Sequence, residues 1–166
     1  MAGAKYKGGV LTLSDKGAAG GRDDLSGRAI KEILSGVGIS IERYEVIPDD
    51  IETIKETLIY WSDEDCLDII VTTGGTGFAP RDVTPEATAA VVDRPTPGIS
   101  EAMRLAGLKN TPKAILSRGT SGIRGATLII NVPGSEKGAR ESLEAILPAL
   151  DHGLEVLTGV GGECGG

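Results

Sequence analysis

The sequence predicts an α/β fold with a mainly parallel sheet and helices on both faces. Short apolar runs alternate along the chain with segments of helical periodicity, which is typical of that architecture. The clearest run, at residues 67–71, is rich in β-branched residues and suits a strand buried on both faces. Most of these runs close on Gly, Ser or Asp, so the polar loops are expected at one edge of the sheet.

Composition narrows the class of protein. The 166 residues fit one domain, expected over residues 1–158, followed by a flexible glycine-rich tail at 159–166. A net charge of −7 argues against a nucleic-acid partner. No apolar run is long enough to span a bilayer, and the first residues lack the apolar core of a signal peptide. With only two cysteines, too few for a disulfide framework, the expected location is cytoplasmic.

The first half of the chain supplies two strand ends with carboxylates. A strand at residues 5–13 closes on Ser14 and Asp15, where ordinary turn chemistry is the alternative to a functional role. Asp23 or Asp24 is expected to cap the helix that follows.

The next strand, at residues 39–47, closes on Pro48-Asp49-Asp50. One of these two aspartates should cap the next helix. Asp49 is the better functional candidate because Asp50 directly precedes the helical periodicity. Two capping carboxylates are the alternative.

A glycine cluster follows the central strand. Gly74-Gly75-Thr76-Gly77, here called the glycine loop, lets backbone N–H groups approach a phosphate, although a tight turn would use the same residues. The cluster matches neither the P-loop nor the dinucleotide-binding pattern. Asp82 lies a few residues beyond, and Thr84 is expected to cap the following helix with Pro85 in its first position.

The second half is expected to contain two more strands, at residues 113–116 and 127–132, which could pair as a hairpin. The first would end on Ser117-Arg118. The second ends on Pro133-Gly134-Ser135 and leads directly into a helix, which makes either an anion site or a plain capped helix. Pro148 should kink or restart that helix, and the only histidine, His152, is expected on its surface.

Two carboxylates beside glycine-rich loops favour magnesium–polyphosphate chemistry. Mg²⁺ is usually held by one or two carboxylates together with substrate phosphates, and Asp49 and Asp82 would supply them. The single histidine argues against a Ser-His-Asp triad and against a histidine-rich metal site.

Four longer stretches, TTGGTGFAPRDVTPEAT, GISEAMR, AILSRGTSGIRG and LIINVPGS, resemble the molybdopterin-binding family. That family includes bacterial MogA and MoaB and the G domain of gephyrin. The resemblance implies a three-layer α/β/α sandwich and a homo-oligomer, most often a trimer and in some members a hexamer. MogA-type members transfer AMP from ATP to the terminal phosphate of molybdopterin, and a metal-insertion protein then uses the adenylated product.

The resemblance also implies roles for single residues. Asp49 and Asp82 match the two key aspartates, as catalytic residues and as ligands for Mg²⁺ with ATP. Leu25 stands where the family often has arginine. The matched substrate-binding positions are Ser14, Asp15, Asp24, Thr73, Gly74, Gly75, Thr76, Gly77, Ser117, Arg118, Pro133, Gly134 and Ser135.

Three other functions compete with adenylyl transfer. A carrier could bind molybdopterin without adenylating it, but the aspartate pair favours an enzyme. A scaffold role would need interaction regions beyond the one expected domain. A phosphosugar or sugar-nucleotide enzyme remains an alternative from the α/β pattern alone.

Overall fold

The computed structural model describes residues 3–159, which form one six-stranded sheet with helices on both faces. The strands are β1 (Tyr6–Leu13), β2 (Ile39–Ile47), β3 (Ile69–Thr73), β4 (Arg94–Pro95), β5 (Ser121–Arg124) and β6 (Thr127–Val132). Their order is β2-β1-β3-β6-β5-β4. The first four strands of that order pair in parallel, and β5 and β4 are antiparallel. The predicted mainly parallel sheet is therefore confirmed.

The helices connect the strands and cover the sheet. They are α1 (Asp15–Ala18), α2 (Leu25–Gly36), α3 (Ile51–Asp63), α4 (Thr84–Val91), α5 (Pro97–Leu108) and α6 (Glu136–Thr158), with a 3₁₀ helix at Pro112–Leu116. The predicted caps are found where a carboxylate or hydroxyl meets the first turn. Asp24, Asp50 and Ser135 accept hydrogen bonds from the main-chain N–H three residues further on, in α2, α3 and α6.

The core consists of two apolar layers, one on each face of the sheet. Alternate residues of a strand enter opposite layers, so Ile69 and Val71 pack with α2, α5 and α6, whereas Ile70 packs with α3 and α4. Ile70 and Ile129 are fully buried in the apolar layer under α3 and α4, together with the only tryptophan, Trp61. These two layers and the sheet between them make the expected three-layer sandwich.

Three local predictions were wrong. Residues 113–116 form a 3₁₀ helix and not a strand, because Ile115 and Leu116 are exposed and β6, the expected partner, pairs elsewhere. The hairpin forms instead between β5 and β6. Thr84 is the first residue of α4 and not its cap, since its hydroxyl donates to Gly74 O at 2.9 Å.

The last helix is continuous. Pro148 lies inside α6, which neither stops nor restarts there, and His152 is exposed on its surface as expected. Gly159 ends the helix with a φ of 63°, a conformation that glycine adopts without strain. The remainder of the predicted flexible tail, residues 160–166, lies outside the described residues. Within residues 3–159, no helix has the length and apolar character needed to cross a membrane.

Candidate functional site

The candidate site lies at the edge of the sheet where the parallel strands end. β1, β2, β3 and β6 run in the same direction, so the loops that follow them emerge side by side. These loops contain most of the residues that the sequence singled out. Ligands of open α/β sheets bind at this edge, outside the carboxyl ends of the strands.

One cavity at this edge, of about 520 Å³, is strongly acidic and is called the acidic cavity below. Five carboxylates line it and a single arginine, Arg22, accompanies them. The carboxylates belong to Asp23, Asp24, Asp49, Asp82 and Glu136. The predicted site residues Ser14, Thr73, Gly74, Gly75, Gly134 and Ser135 complete much of its wall.

A second, more apolar cavity of about 300 Å³ adjoins the first. Met103, Ala114 and Leu116 provide apolar surface, and Arg104 and Lys113 provide positive charge. The predicted residues in its wall are Thr76, Gly77, Ser117, Pro133 and Ser135. Because Ser135 lines both cavities, a group bound in one lies next to a group bound in the other.

The glycine loop separates the two cavities and needs its glycines. Gly74 has a φ of 98°, and a Cβ there would lie 2.5 Å from Leu13 O. Gly75 has a φ of 65°, and its Cβ would lie 2.3 Å from Thr84 Oγ1 and 3.2 Å from Asp49 Oδ1. Residues other than glycine rarely adopt such φ values, and a Cβ at either position would clash with its neighbours. The main chain therefore passes directly beside the Asp49 carboxylate.

Asp49 is half-buried and only partly satisfied by hydrogen bonds. Its Oδ2 accepts from the Asp15 N–H at 3.1 Å, and no donor among the described residues reaches Oδ1. Burial raises the pKa of Asp49, and the nearby negative charges of Asp15 and Asp82 raise it further. The neighbouring Asp50 caps α3 instead, as the sequence predicted.

Asp82 is held in a similar way. Its Oδ2 accepts from the Ala79 N–H at 2.9 Å, and within residues 3–159 its Oδ1 has no hydrogen-bond donor. Each of the two candidate catalytic aspartates thus retains one carboxylate oxygen for a ligand.

Asp15 has a different environment from the one expected of a substrate ligand. Arg81 donates to both of its carboxylate oxygens, at 2.6 and 2.9 Å, and the Asp49 N–H donates to Oδ1 at 3.0 Å. The Arg81 guanidinium lowers the pKa of Asp15. Asp15 lines neither cavity, so its contacts position the Asp49 segment.

Asp24 lines the acidic cavity, but protein donors occupy both of its oxygens. Oδ1 accepts from the Gly27 N–H at 3.0 Å, and Oδ2 accepts from the Thr12 hydroxyl at 2.8 Å and from the Tyr44 hydroxyl. Burial of Tyr44 and its bond to Asp24 raise the pKa of the phenol to about 12. Leu25, which follows Asp24, is exposed on the rim of the same cavity.

The smaller residues mostly shape the walls. Thr73 donates to Pro133 O at 2.7 Å, and a Cβ on Gly134 would lie 3.2 Å from Gly74 Cα, so these two loops pack closely. Ser14 caps α1, a short helix where the sequence pattern indicates only a loop.

Arg118 does not line either cavity. Its side chain donates instead to the carbonyls of Gly77 and Asp82 and to the Glu86 carboxylate. Its neighbour Ser117 lines the apolar cavity and accepts from the Gly119 N–H at 3.3 Å.

Two contributing residues, Arg81 and Asn131, are not among the predicted site residues. Arg81 was not predicted as a partner of Asp15, although it directly precedes Asp82 and could have been weighed as a counter-charge. Asn131 lies in the apolar run of β6, yet it lines the apolar cavity and donates to Thr72 and Thr88. Only the folded sheet brings these residues together.

The described part of the chain has no cluster of three or more His, Cys, Asp or Glu side chains arranged to hold a metal. The arrangement of Asp49 and Asp82 nevertheless fits a divalent cation that takes its other ligands from phosphates, as Mg²⁺ usually does. Each aspartate has an oxygen without a donor, and a cation would relieve the repulsion that raises the pKa of Asp49.

The fold and the paired cavities define an α/β domain with a candidate ligand site at the carboxyl ends of its parallel strands. Residues 9–152 match the family model described as "Probable molybdopterin binding domain". The chain therefore belongs to the molybdopterin-binding domain family, as its motifs predicted.

Relatives with assigned activities cover nearly the same length. The chain is 47% identical over 153 residues to the molybdopterin adenylyltransferase of Helicobacter pylori strain J99, across 91% of this chain and 87% of that one. It is 41% identical to the molybdopterin adenylyltransferase of Escherichia coli K12, across 88% and 78% of the two chains.

A solved structure agrees with the fold. The crystal structure of the molybdopterin biosynthesis enzyme MoaB from Thermus thermophilus superposes with a TM-score of 0.89 at 53% identity. The match covers 95% of this chain and 99% of that one.

Proposed function

We propose that this protein is a nucleotidyltransferase of molybdenum cofactor biosynthesis that adenylylates molybdopterin with Mg²⁺-ATP. The observation that carries the proposal is the pair Asp49 and Asp82, each with one open oxygen in a cavity that adjoins a second, more apolar one. The names of the full-length relatives support the same activity.

The two cavities suit two substrates. The acidic cavity takes the ATP phosphates, and the apolar cavity, with Ser117 in its wall, takes the pterin. Five carboxylates would repel a polyphosphate unless a divalent cation neutralised it, which is the reason for including Mg²⁺. Asp49 and Asp82 would hold that ion, which supplies charge neutralisation at the phosphates.

The reaction is a direct displacement at phosphorus. An oxygen of the molybdopterin phosphate attacks the α-phosphorus of ATP, the bond from that phosphorus to the bridging oxygen of the β-phosphate breaks, and pyrophosphate leaves. The attacking phosphate is already an anion, so no general base is required. This agrees with the position of His152, which lines neither cavity. The main chain of the glycine loop and the α6 N-terminus at Ser135 position the phosphates.

The direct test is pyrophosphate release by the purified protein from ATP and Mg²⁺, with and without molybdopterin. Release that depends on molybdopterin supports the transferase. Binding of molybdopterin without release would contradict it and favour a carrier. A thermal-shift comparison of ATP with other nucleotides checks nucleotide preference, because a ligand of the native state raises its apparent stability.

The proposal includes the assembly and the next protein in the sequence of reactions. The family resemblance predicts a homotrimer, with a hexamer as the alternative, and light scattering in solution distinguishes them. Adenylated molybdopterin would pass to a metal-insertion protein. The proposed location is the cytoplasm.

A further inference from the structure

Arg118 makes an unusual set of contacts for a residue beside a substrate site. Its Nε donates to Gly77 O at 2.8 Å, its Nη2 donates to Asp82 O at 2.7 Å, and its Nη1 pairs with Glu86. Its main-chain N–H donates to Thr76 O at 2.8 Å. All four bonds end on one loop or on the first turn of α4, which follows that loop.

Residues 77–82 form a loop segment, and its middle residues 78–81 are exposed. The two carbonyls that Arg118 binds lie at the two ends of this segment. Apart from its bonds to Arg118, the main chain of this segment makes only local hydrogen bonds, between Asp82 and Ala79. The Asp82 N–H donates to Ala79 O at 2.9 Å, and the Ala79 N–H donates to Asp82 Oδ2 at 2.9 Å. The Arg81 side chain, in the exposed middle of the segment, pairs with Asp15, whereas the Arg118 guanidinium holds the main chain at both ends.

Guanidinium chemistry is well suited to this task. Its planar fork can donate to two carbonyls and a carboxylate at once, whereas a lysine ammonium is a single compact centre on a flexible stem. The Glu86 carboxylate orients the fork from the opposite side, and the bond to Arg118 lowers the pKa of Glu86.

We infer that Arg118 is a positioning residue, which holds the Asp82 carboxylate in place by bracketing residues 77–82, and that it is not a substrate ligand. The inference rests on the proposed function for the role of Asp82. It replaces the expectation from the sequence that Arg118 binds substrate.

A matched pair of variants tests this inference. In R118K the fork is lost and the charge is kept. R124K is the control, because Arg124 also donates to a carboxylate, Asp63, at 3.0 and 2.7 Å and to a carbonyl, Val91 O, at 2.8 Å. Arg124 is on β5 and lines neither cavity.

Two measurements are made on both variants. The first is the pyrophosphate-release assay, analysed for kcat and for the KM of ATP and molybdopterin. In R118K we expect kcat to fall roughly 10- to 100-fold, the range for a displaced catalytic group, with both KM values within about twofold of wild type. In R124K kcat should be unchanged, even where its melting temperature falls as far as that of R118K.

The second measurement is amide hydrogen exchange, which needs no activity. Exchange at residues 77–82 should be faster in R118K than in wild type and unchanged in R124K. If the wild-type protein releases no pyrophosphate, the proposed function fails, and this exchange difference still decides whether Arg118 positions the loop.

Three results would overturn the inference. A raised KM with unchanged kcat in R118K would make Arg118 a substrate ligand. Equal losses of kcat in R118K and R124K would indicate general destabilisation. Unchanged exchange at residues 77–82 in R118K would show that the contacts of Arg118 do not hold this segment. Where R118K does not fold, E86A replaces it, because alanine leaves Nη1 without its carboxylate acceptor and keeps the carbonyl contacts. In E86A a lower kcat with faster exchange supports the inference, and wild-type values contradict it.

Discussion

Asp49 and Asp24 line the same cavity, and each belongs to a loop that follows a parallel strand, yet they serve different purposes. Protein donors occupy both oxygens of Asp24, which caps α2 and binds the Thr12 and Tyr44 hydroxyls. Asp49 accepts one protein hydrogen bond and leaves its other oxygen open, at a cost in desolvation that raises its pKa. Position after a parallel strand therefore does not distinguish an open carboxylate from one that the protein has already satisfied.

The largest expected effect comes from the open carboxylates. D49N and D82N keep the shape of the cavity and remove the charge that would hold Mg²⁺. A bound metal ion stabilises the charge of the transition state by several kcal/mol. We therefore expect kcat to fall roughly 10³-fold in each variant. The measurement is molybdopterin-dependent pyrophosphate release.

The control for these variants is D50N, since Asp50 is adjacent in sequence and only caps α3. Asparagine caps a helix about as well as aspartate does, so D50N should retain wild-type kcat. Wild-type kcat in both D49N and D82N would remove the distinction between open and satisfied aspartates.

The glycine loop should give the next largest effect. In G75A the new Cβ would clash with Thr84 Oγ1 and approach Asp49 Oδ1, at a φ that alanine adopts poorly. A displacement of about 1 Å in a catalytic group lowers turnover roughly 100-fold, and we expect kcat to fall by about that factor.

The matched control for G75A is G153A. Gly153 lies in α6 with open space around its Cα, and alanine in a helix interior is more stable than glycine by roughly 0.5–1 kcal/mol. G153A should therefore raise the melting temperature and leave kcat unchanged. An active, stable G75A would argue against the need for a bare main chain beside Asp49.

Asp24 should show the reverse pattern, a loss of stability in place of activity. D24A removes the α2 cap and leaves the Thr12 and Tyr44 hydroxyls without their acceptor, which should cost about 2 kcal/mol. For a chain of this length that corresponds to a melting temperature about 4–8 °C lower. The fluorescence of the only tryptophan, Trp61, which is 2% exposed, reports the transition.

At a temperature where D24A is folded, its kcat should be close to that of wild type. A loss of turnover as large as that of D49N, without a loss of stability, would make Asp24 a ligand and erase the contrast between the two residues.

The smallest effect concerns pH. The folded state raises the pKa of Asp49, so its ionisation opposes folding and its contribution is most favourable below the unfolded pKa, about 4. D49N should therefore be more stable than wild type at pH 7, and this gain should shrink as the pH falls toward 4. Urea unfolding at both pH values measures it.

The pKa of Asp50 is shifted in the opposite direction from that of Asp49. Its hydrogen bonds from Thr53 lower its pKa, so its contribution is present at neutral pH and is lost as the pH falls through that lowered value. A D49N protein that is less stable than wild type at pH 7 would contradict the unfavourable burial assigned to Asp49.

Local chemistry made much of the fold predictable. β2 spans the predicted residues, and the caps at Asp24, Asp50 and Ser135 follow from side chains that bond within the next three residues. The choice of Asp49 over Asp50 as the candidate functional carboxylate also rests on such local spacing, and in the structure Asp50 caps α3 while Asp49 lines the acidic cavity.

The wrong strand and hairpin predictions involve partners distant in sequence. The 3₁₀ helix at residues 113–116 and the strand β5 depend on which segment β6 pairs with, and that choice is made by the folded sheet. The predicted role of Arg118 comes from its place in a motif that resembles the family, whereas its bonds reach across 41 residues to Gly77 and 36 to Asp82. No pattern within the motif reveals such contacts.

The strand order has a consequence for how the protein folds. Asp49 follows β2 at one side of the sheet and Asp82 follows β3, and β1 lies between these two strands. The glycine loop also depends on β6, because Gly74 packs against Gly134. Long-range parallel pairing of this kind forms slowly, because the chain loses the entropy of loop closure before the stabilising contacts form. The site therefore becomes complete only when the last of these strands has docked, so recovery of nucleotide binding during refolding should lag behind the recovery of helical circular dichroism.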